Sequence, residues 1–343
     1  MRVLILKLTS FGDIIHTFSA LSEAKKALEN LEITWVVDET FAQVPLWHEA
    51  VTKIIPCAHR RWRKNIIKAI ASGEIIKFVK TLRQQRYDVI IDAQSSIKTG
   101  IIGFLARGSL YGYDRDSVRE KGTQWFYKHT FSVSKKTHVM DRTRQLFAQS
   151  LGYVCEKTLP DAGLLTPPST LPCDIPENSV VFIPFTTWQT KHWPMSYWQQ
   201  LIEMVTSSGT KVIIYFAGEH EKTKAMALKQ NNPGVVILPD LSLDQRIPLF
   251  KAVRAFVGVD TGPTHLGAAL NVPGVVLFGP TDPDYLGLRG DNQLNLAVNY
   301  PCAKCHKRVC DIEDEGIIPG CFTTLKPTKV WLALKGLLKS SVQ

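Results

Sequence analysis

Short, continuous apolar runs rich in β-branched residues recur along this chain, each separated from the next by a stretch of helical period. That alternation is what limits the folds open to it. In the first half the runs are residues 3–6, 33–37 and 89–91; in the second they are 180–183, 211–216, 235–238, 255–259 and 275–278. A strand apolar on both faces has to be covered on both faces, and strands joined through helices pair in parallel. After the first run, Ile14, Phe18 and Leu21 fall at i, i+4 and i+7, one face of a helix beginning near Asp13. The expected class is therefore α/β, with parallel, doubly covered sheets. No internal repeat or low-complexity segment interrupts the pattern.

The length of 343 residues fits two domains, on a prior of roughly 150 residues each. The segment LLTPPSTLPCDIPENS, residues 164–179, is rich in proline and serine, has no period, and reads as the linker. This gives a first domain over 1–165 and a second over 180–325. A final helical segment covers 326–343, where Trp331, Leu334 and Leu338 line one face beside several lysines. A return of that segment to the first domain is one course open to it. No apolar run approaches ~18 residues and the N-terminus lacks a signal-peptide pattern, which reads as a soluble, cytoplasmic protein. Forty-one Lys and Arg against 31 Asp and Glu give a basic surface, suited to nucleic acid, an anionic membrane or an acidic substrate.

In open parallel sheets ligands bind at the carboxyl ends of the strands. The turns there read PFTTWQTKHWP, AGEHEKT, DTGPTHLGAAL and GPTDPDYLG, and they would bring together Thr186, Thr187, Lys191, Glu221, Asp260, Thr261, Gly262, His265, Thr281 and Asp282. Hydroxyls, a flexible glycine and a helix N-terminus can hold a diphosphate without a metal, with Lys191 as the mobile cation and Glu221 accepting from a ribose diol. The bland reading of Asp260 and Thr261 is that they cap a helix. In the first half, the opening turn LKLTSFGDIIHT holds one glycine, Gly12, followed at once by Asp13. A carboxylate there suits neither a phosphate nor a dinucleotide loop; as a bare sequence feature it reads as a helix cap.

The run HRRWRK sets Arg60, Arg61, Arg63 and Lys64 around an aromatic ring, a composition suited to an acidic acceptor because guanidinium groups bind phosphate and carboxylate bidentately. A solvated helix end and nucleic acid are the rival readings; clustering in one loop, rather than along an open face, speaks against nucleic acid. Arg119, from DSVREKG, could reach the same place. Cys302, Cys305, Cys310 and Cys321 crowd into one segment with C-x2-C-x4-C-x10-C spacing. A structural zinc is one reading of it, buried apolar thiols the other.

Taken together, LKLTSFGDIIHT, WVVDETFAQVPLWH, RRWRK, IDAQSSIK, FTTWQTKHWP and VGVDTGPTHLGAAL with FGPTDP resemble the bacterial heptosyltransferases of the lipopolysaccharide inner core, and the first-half motifs are most similar to the type I members. The resemblance implies a GT-B fold, two Rossmann-like domains with a deep interdomain cleft. It implies an inverting transferase that moves heptose from ADP-heptose onto the Kdo residue of Kdo-lipid A, working at the anionic inner leaflet, with no cofactor needed for catalysis. Under it Asp13 is the general base. Thr186, Thr187 and Lys191 match donor-phosphate positions, Glu221 the ribose position, and Asp260, Thr261, Gly262 and His265 the DTG-x-x-H motif. Arg60, Arg61, Arg63, Lys64 and Arg119 are similar to the acceptor contacts, and His16 and His192 read as structural. The cysteine segment departs from type I members toward type II. A type II enzyme, another nucleotide-sugar transferase and a noncatalytic nucleotide or nucleic-acid binder remain as alternatives.

Overall fold

The structure is a computed structural model that describes residues 1–340; the end of the expected final segment, residues 341–343, lies outside the described residues. The chain divides into two units, Met1–Leu165 and Thr166–Gln343, close to the proline-rich stretch expected as a linker.

The first unit is built on one six-stranded sheet: β1 (Arg2–Leu6), β2 (Glu32–Asp38), β3 (Val51–Cys57), β4 (Val89–Asp92), β5 (Ser109–Tyr113) and β6 (His129–Phe131). Its order is β3-β2-β1-β4-β5-β6, and every pairing is parallel. The crossovers carry α1 (Phe11–Ala27), α2 (His59–Lys64), α3 (Ile66–Ala71), α4 (Glu74–Leu82), α5 (Ile97–Leu105) and α6 (Val139–Leu151). The central strand β4 is buried along its whole length, as a strand covered on both faces has to be. The chain winds outward from β1 to β3, then returns to place β4 on the other side of β1. The strand order thus reverses between β1 and β4, and a crevice opens at their carboxyl ends.

The second unit repeats this plan with β7 (Ser179–Ile183), β8 (Lys211–Tyr215), β9 (Val235–Leu238), β10 (Ala255–Val259), β11 (Gly274–Phe278) and β12 (Gln293–Ala297), joined through α7 (Met195–Ser207), α8 (Gly218–Lys229), α9 (Leu243–Ala252), α10 (Gly262–Ala269) and α11 (Pro283–Leu286). The order is β12-β11-β10-β7-β8-β9, again wholly parallel, with the reversal between β7 and β10. Strands β7, β10 and β11 are buried throughout. The last helix, α12 (Pro327–Ser340), packs on α7, β10 and β11 of this same unit. Its buried face is Val330, Leu334 and Leu338, at i, i+4 and i+8, whereas Trp331, expected on that face, is only half-buried.

One buried ion pair fixes the first unit's long helices. Arg144 on α6 donates Nε and Nη2 to the two oxygens of Glu23 on α1, at 3.1 and 3.0 Å, with both side chains at most 3% exposed. The same guanidinium also reaches Asp141 and the carbonyls of Glu156 and Thr158. Glu23→Ala leaves most of that cation buried without its main partner, so it is expected to cost about 3 kcal/mol of stability or more. Urea unfolding followed by circular dichroism checks this; a loss under about 1 kcal/mol, the worth of a surface pair, would show that the pair is not structural.

Candidate active site

At the reversal point of the first unit the turn after β1 runs into α1. Ser10 is the N-cap and Asp13 stands three residues on, so the two form a capping box. Asp13 is therefore not the N-cap that the sequence suggested, but its reciprocal partner: Oδ2 accepts from the Ser10 N–H at 2.8 Å and from the Ser10 hydroxyl at 2.9 Å. The other oxygen, Oδ1, is 3.9 Å from Nζ of Lys7, an ion pair beyond hydrogen-bond distance. Partial burial pushes the Asp13 carboxyl up, but Lys7, the Ser10 bonds and His16 outweigh it and hold it below the usual aspartate range. Lys7 is 7% exposed, donates to the Ala93 carbonyl at 3.1 Å, and is itself pulled below the ordinary lysine value, chiefly by burial.

The turn after β4 holds this arrangement in place. Asp92 accepts from the backbone of Gln94 and Ser95 through Oδ1 and from the Tyr127 hydroxyl through Oδ2. Burial pushes its carboxyl up to about 6 against those bonds. Gln94 in turn accepts the N–H groups of Leu8 and Thr9 at 2.6 and 3.1 Å, which fixes the approach to Ser10. Sequence reasoning missed Lys7 and Gln94. The legible signal for Lys7 was a charge placed directly after the apolar run of residues 3–6.

The cations expected beside an acceptor are sorted by the fold. HRRWRK forms α2 rather than a loop. Arg61 is tied to Glu39 and, through Nη1, to both oxygens of Glu74, so its charge is already matched. Arg60 lies 3.6 Å from Asp38 and over the ring of Phe41. Arg63 and Lys64 are exposed in the last turn. Arg119, bound through its backbone to Ser95, joins the group electrostatically. Lys98 is held low first by burial, and then by Arg119, Arg60 and Arg63 against Glu120.

In the second unit the centre is Asp260, at the end of β10 and 3% exposed. Its Oδ2 accepts from Nζ of Lys191 at 2.7 Å and from the Thr281 hydroxyl at 2.6 Å, while Oδ1 is 3.2 Å from Nε2 of His265. Burial raises the carboxyl, and the His265 and Lys191 contacts overcome it, leaving Asp260 well below the usual carboxylate range. So Asp260 is a hub joining three turns and not a helix cap, whereas Thr261 is the N-cap of α10. Thr264 folds back under the turn to the carbonyls of Val259 and Thr261, into space that only Gly258 leaves: a Cβ there would lie 2.4 Å from the Thr264 methyl. Gly262 opens α10. Thr186 gives its carbonyl to Nε2 of His192 and Thr187 is exposed on the same turn. Glu221 accepts from the Ala217 N–H through one oxygen, Oε2.

The cysteine segment packs against these turns. Thr190 donates to the Lys307 carbonyl, the backbone of Lys304 and His306 donates to Gly279 and Pro280, and Lys304 pairs with Asp282. The Trp188 ring carries Lys191 at 4.7 Å and Arg308 at 4.9 Å; the Arg308 contact has no sequence signal because it comes from over a hundred residues away. All seven cysteines are free thiols. Cys321 is a core side chain whose thiol is pushed up to about 12, by burial first and then by Cys302, Cys310 and Cys305. Cys305 is exposed, and among the described residues no group of three or more His, Cys, Asp or Glu is arranged to hold a metal ion.

The Lys7 cation is what keeps Asp13 ionised against burial, which Lys7→Met tests. With the cation gone the carboxyl is expected to titrate at a higher pH than in the parent, read as the Asp13 carboxyl midpoint by carbon NMR. The sign also carries to stability: a carboxyl depressed on folding stabilises above its unfolded value of about 3.9 and loses that contribution as pH falls further. The variant should therefore lose less stability than the parent on acidification, and an unmoved midpoint would remove Lys7 from this role.

Residues 75–315 match the sequence family described as glycosyltransferase family 9 (heptosyltransferase). The chain is 39% identical to lipopolysaccharide heptosyltransferase 1 of Pseudomonas aeruginosa over 98% of both proteins. Among solved structures it is similar to the E. coli heptosyltransferase WaaC with ADP, at a TM-score of 0.86 and 35% identity, over 98% of this chain and 100% of that one. WaaC with ADP-2-deoxy-2-fluoro heptose matches at a TM-score of 0.83 and 35% identity, covering 98% and 99%. Two parallel six-stranded α/β units with this likeness make the fold GT-B. With a family match spanning most of its length and a relative of this identity end to end, the chain belongs to glycosyltransferase family 9, the heptosyltransferases.

Proposed function

We propose that this heptosyltransferase moves heptose from ADP-L-glycero-D-manno-heptose onto the Kdo residue of Kdo-lipid A, with inversion at the anomeric carbon. The observation that carries the proposal is Asp13: one oxygen is committed to the capping box, the other faces the Lys7 cation at 3.9 Å, beyond hydrogen-bond distance, and the group is held ionised. That is a base with an accepting oxygen to spare. It takes the proton of the acceptor hydroxyl as that oxygen forms its bond to the anomeric carbon and the bond to the diphosphate breaks. One base suffices for a single displacement.

Charge gathers on the departing diphosphate, and the second unit has the groups to meet it: Lys191, oriented by Asp260, and the N–H groups opening α10 behind Thr261. Glu221 keeps Oε1 for a ribose hydroxyl. Arg60, Arg63, Lys64 and Arg119 supply cations for an acidic acceptor. Near-full-length likeness to a type 1 enzyme favours the first heptose over the second. No helix among the described residues is long and apolar enough to cross a membrane; under this reading the enzyme meets its lipid-linked acceptor peripherally, at the inner leaflet.

Asp13→Asn keeps size and capping ability but cannot take the proton, so single-turnover transfer should slow by roughly 10²- to 10⁴-fold. ADP affinity should stay at the parental value and the protein should stay folded, with a modest fall in melting temperature from loss of the Lys7 ion pair. Transfer at the parental rate would return Asp13 to the capping box alone. Lys191→Ala should weaken ADP binding by about 1.5–3 kcal/mol, the worth of a hydrogen bond to a charged group. Calorimetry reads it, and unchanged affinity in a folded protein would take Lys191 out of the donor site. Release of ADP from the sugar donor, with and without Kdo-lipid A, separates this reading from a noncatalytic binder.

A further inference from the structure

Between β3 and β4 the chain makes a helical excursion, α2 through α4, whose composition is unlike the rest of the molecule. Residues 60–80 carry seven cations, Arg60, Arg61, Arg63, Lys64, Lys68, Lys77 and Lys80, against one carboxylate, Glu74. Glu74 is already bound by Arg61 and by the Trp62 indole N–H. Among these cations four isoleucines face solvent: Ile66 at 51% exposed, Ile67 at 79%, Ile70 at 57% and Ile76 at 56%. The excursion has its own inward face in Ala69, Phe78 and Leu82, with Trp62 edge-on to Phe78, so the isoleucines are not a displaced core. A single exposed apolar side chain needs no explanation; four in eleven residues do.

The same unit carries a second exposed apolar row. Ile97, Ile101 and Phe104 fall at i, i+4 and i+7 on α5, and Phe104 and the neighbouring Trp125 are 70% and 85% exposed. The basic helix α2 adjoins both sets. It runs directly into α3, and its first residue, His59, bonds through Nε2 to Nζ of Lys98 in the first turn of α5. Apolar side chains ringed by lysine and arginine are the chemistry of an interfacial lipid contact, the apolar tips entering the acyl boundary while the cations meet anionic headgroups. A second copy of the chain is a poor occupant, because the same face would set a strongly positive excursion against its equal.

We infer that the exposed isoleucines of α3 and α4, with the cations of residues 60–80, form a docking surface for an anionic lipid bilayer. The inference rests on the reading of a lipid-linked acceptor. Its consequence is that the acceptor need not leave the membrane: the surface would seat the first unit on the bilayer with Arg60, Arg63 and Arg119 turned to the sugar and phosphate groups.

The test is flotation of the full chain with vesicles of phosphatidylethanolamine, with and without phosphatidylglycerol. The parent should float with the anionic vesicles and be released by salt. The double variant Ile67→Glu/Ile70→Glu should lose at least about tenfold in bound fraction, with an unchanged melting curve because both positions face solvent. Its transfer to a deacylated, water-soluble acceptor should match the parent. Equal flotation of parent and variant, or no flotation of the parent, overturns the surface. A dimer in the parent that the variant abolishes also overturns it, in favour of a contact between copies. Absence of transfer to the soluble acceptor by the parent, with flotation intact, defeats the enzymatic reading and leaves the lipid surface standing.

Discussion

Parallel pairing is the constraint from which the rest of this structure follows. A parallel strand cannot be joined to its neighbour by a tight turn, so each connection crosses a face of the sheet as a helix and every strand points the same way. All carboxyl ends then collect on one edge of each sheet. Where the winding reverses, between β1 and β4 and between β7 and β10, adjacent connections leave on opposite faces and the turns stand apart. Both candidate centres lie there: Asp13 and Gln94 follow β1 and β4, while Lys191 and Asp260 follow β7 and β10. In each unit the polar groups were placed by topology before they were tuned by chemistry.

The tuning follows one rule in both units. A carboxylate at a strand end would be driven neutral by burial, and neighbouring donors and cations prevent it: Lys7 with the Ser10 bonds and His16 for Asp13, His265 with Lys191 for Asp260. Asp92 goes the other way: burial raises its carboxyl to about 6 while it accepts the Gln94 and Ser95 N–H groups and the Tyr127 hydroxyl. The three therefore differ in kind. Asp13 keeps an oxygen for a ligand, Asp260 spends both on orienting Lys191, Thr281 and His265, and Asp92 braces the turn that carries Gln94.

The same contrast separates the basic residues. Arg61, held by Glu39 and Glu74, is an internal fastening of the excursion between β3 and β4. Arg63 and Lys64 are exposed in the last turn of α2, and they share their surface with exposed isoleucines. Charge that is spent inside the fold stabilises it locally; charge left at the surface remains for an anionic ligand or a lipid headgroup.

The central strands were legible because burial on both faces leaves an unbroken apolar run, as in β1, β4, β7, β10 and β11. Strands β3, β6 and β12 were not, since each lies at a sheet edge and keeps polar residues, as VTKIIPC and QLNLA show; β5, SLYGY, is broken by a glycine. The motif turns could be read as polar strand ends, and with them Asp13, Lys191 and Asp260 as candidates. Their partners could not: Lys7 meets Asp13 across a turn, Gln94 reaches Leu8 from another strand, and Arg308 shares the Trp188 ring from the cysteine segment. Nor could sequence tell that Arg61 is spent on Glu74 while four isoleucines stay exposed. Periodicity and turn chemistry are local and are written in consecutive residues, so the sequence by itself determined the class of fold and where its strand ends carry polar groups. Which charges meet, which oxygen of a carboxylate stays available and which apolar residues are left without cover depend on contacts between distant segments, and only the tertiary structure decided them.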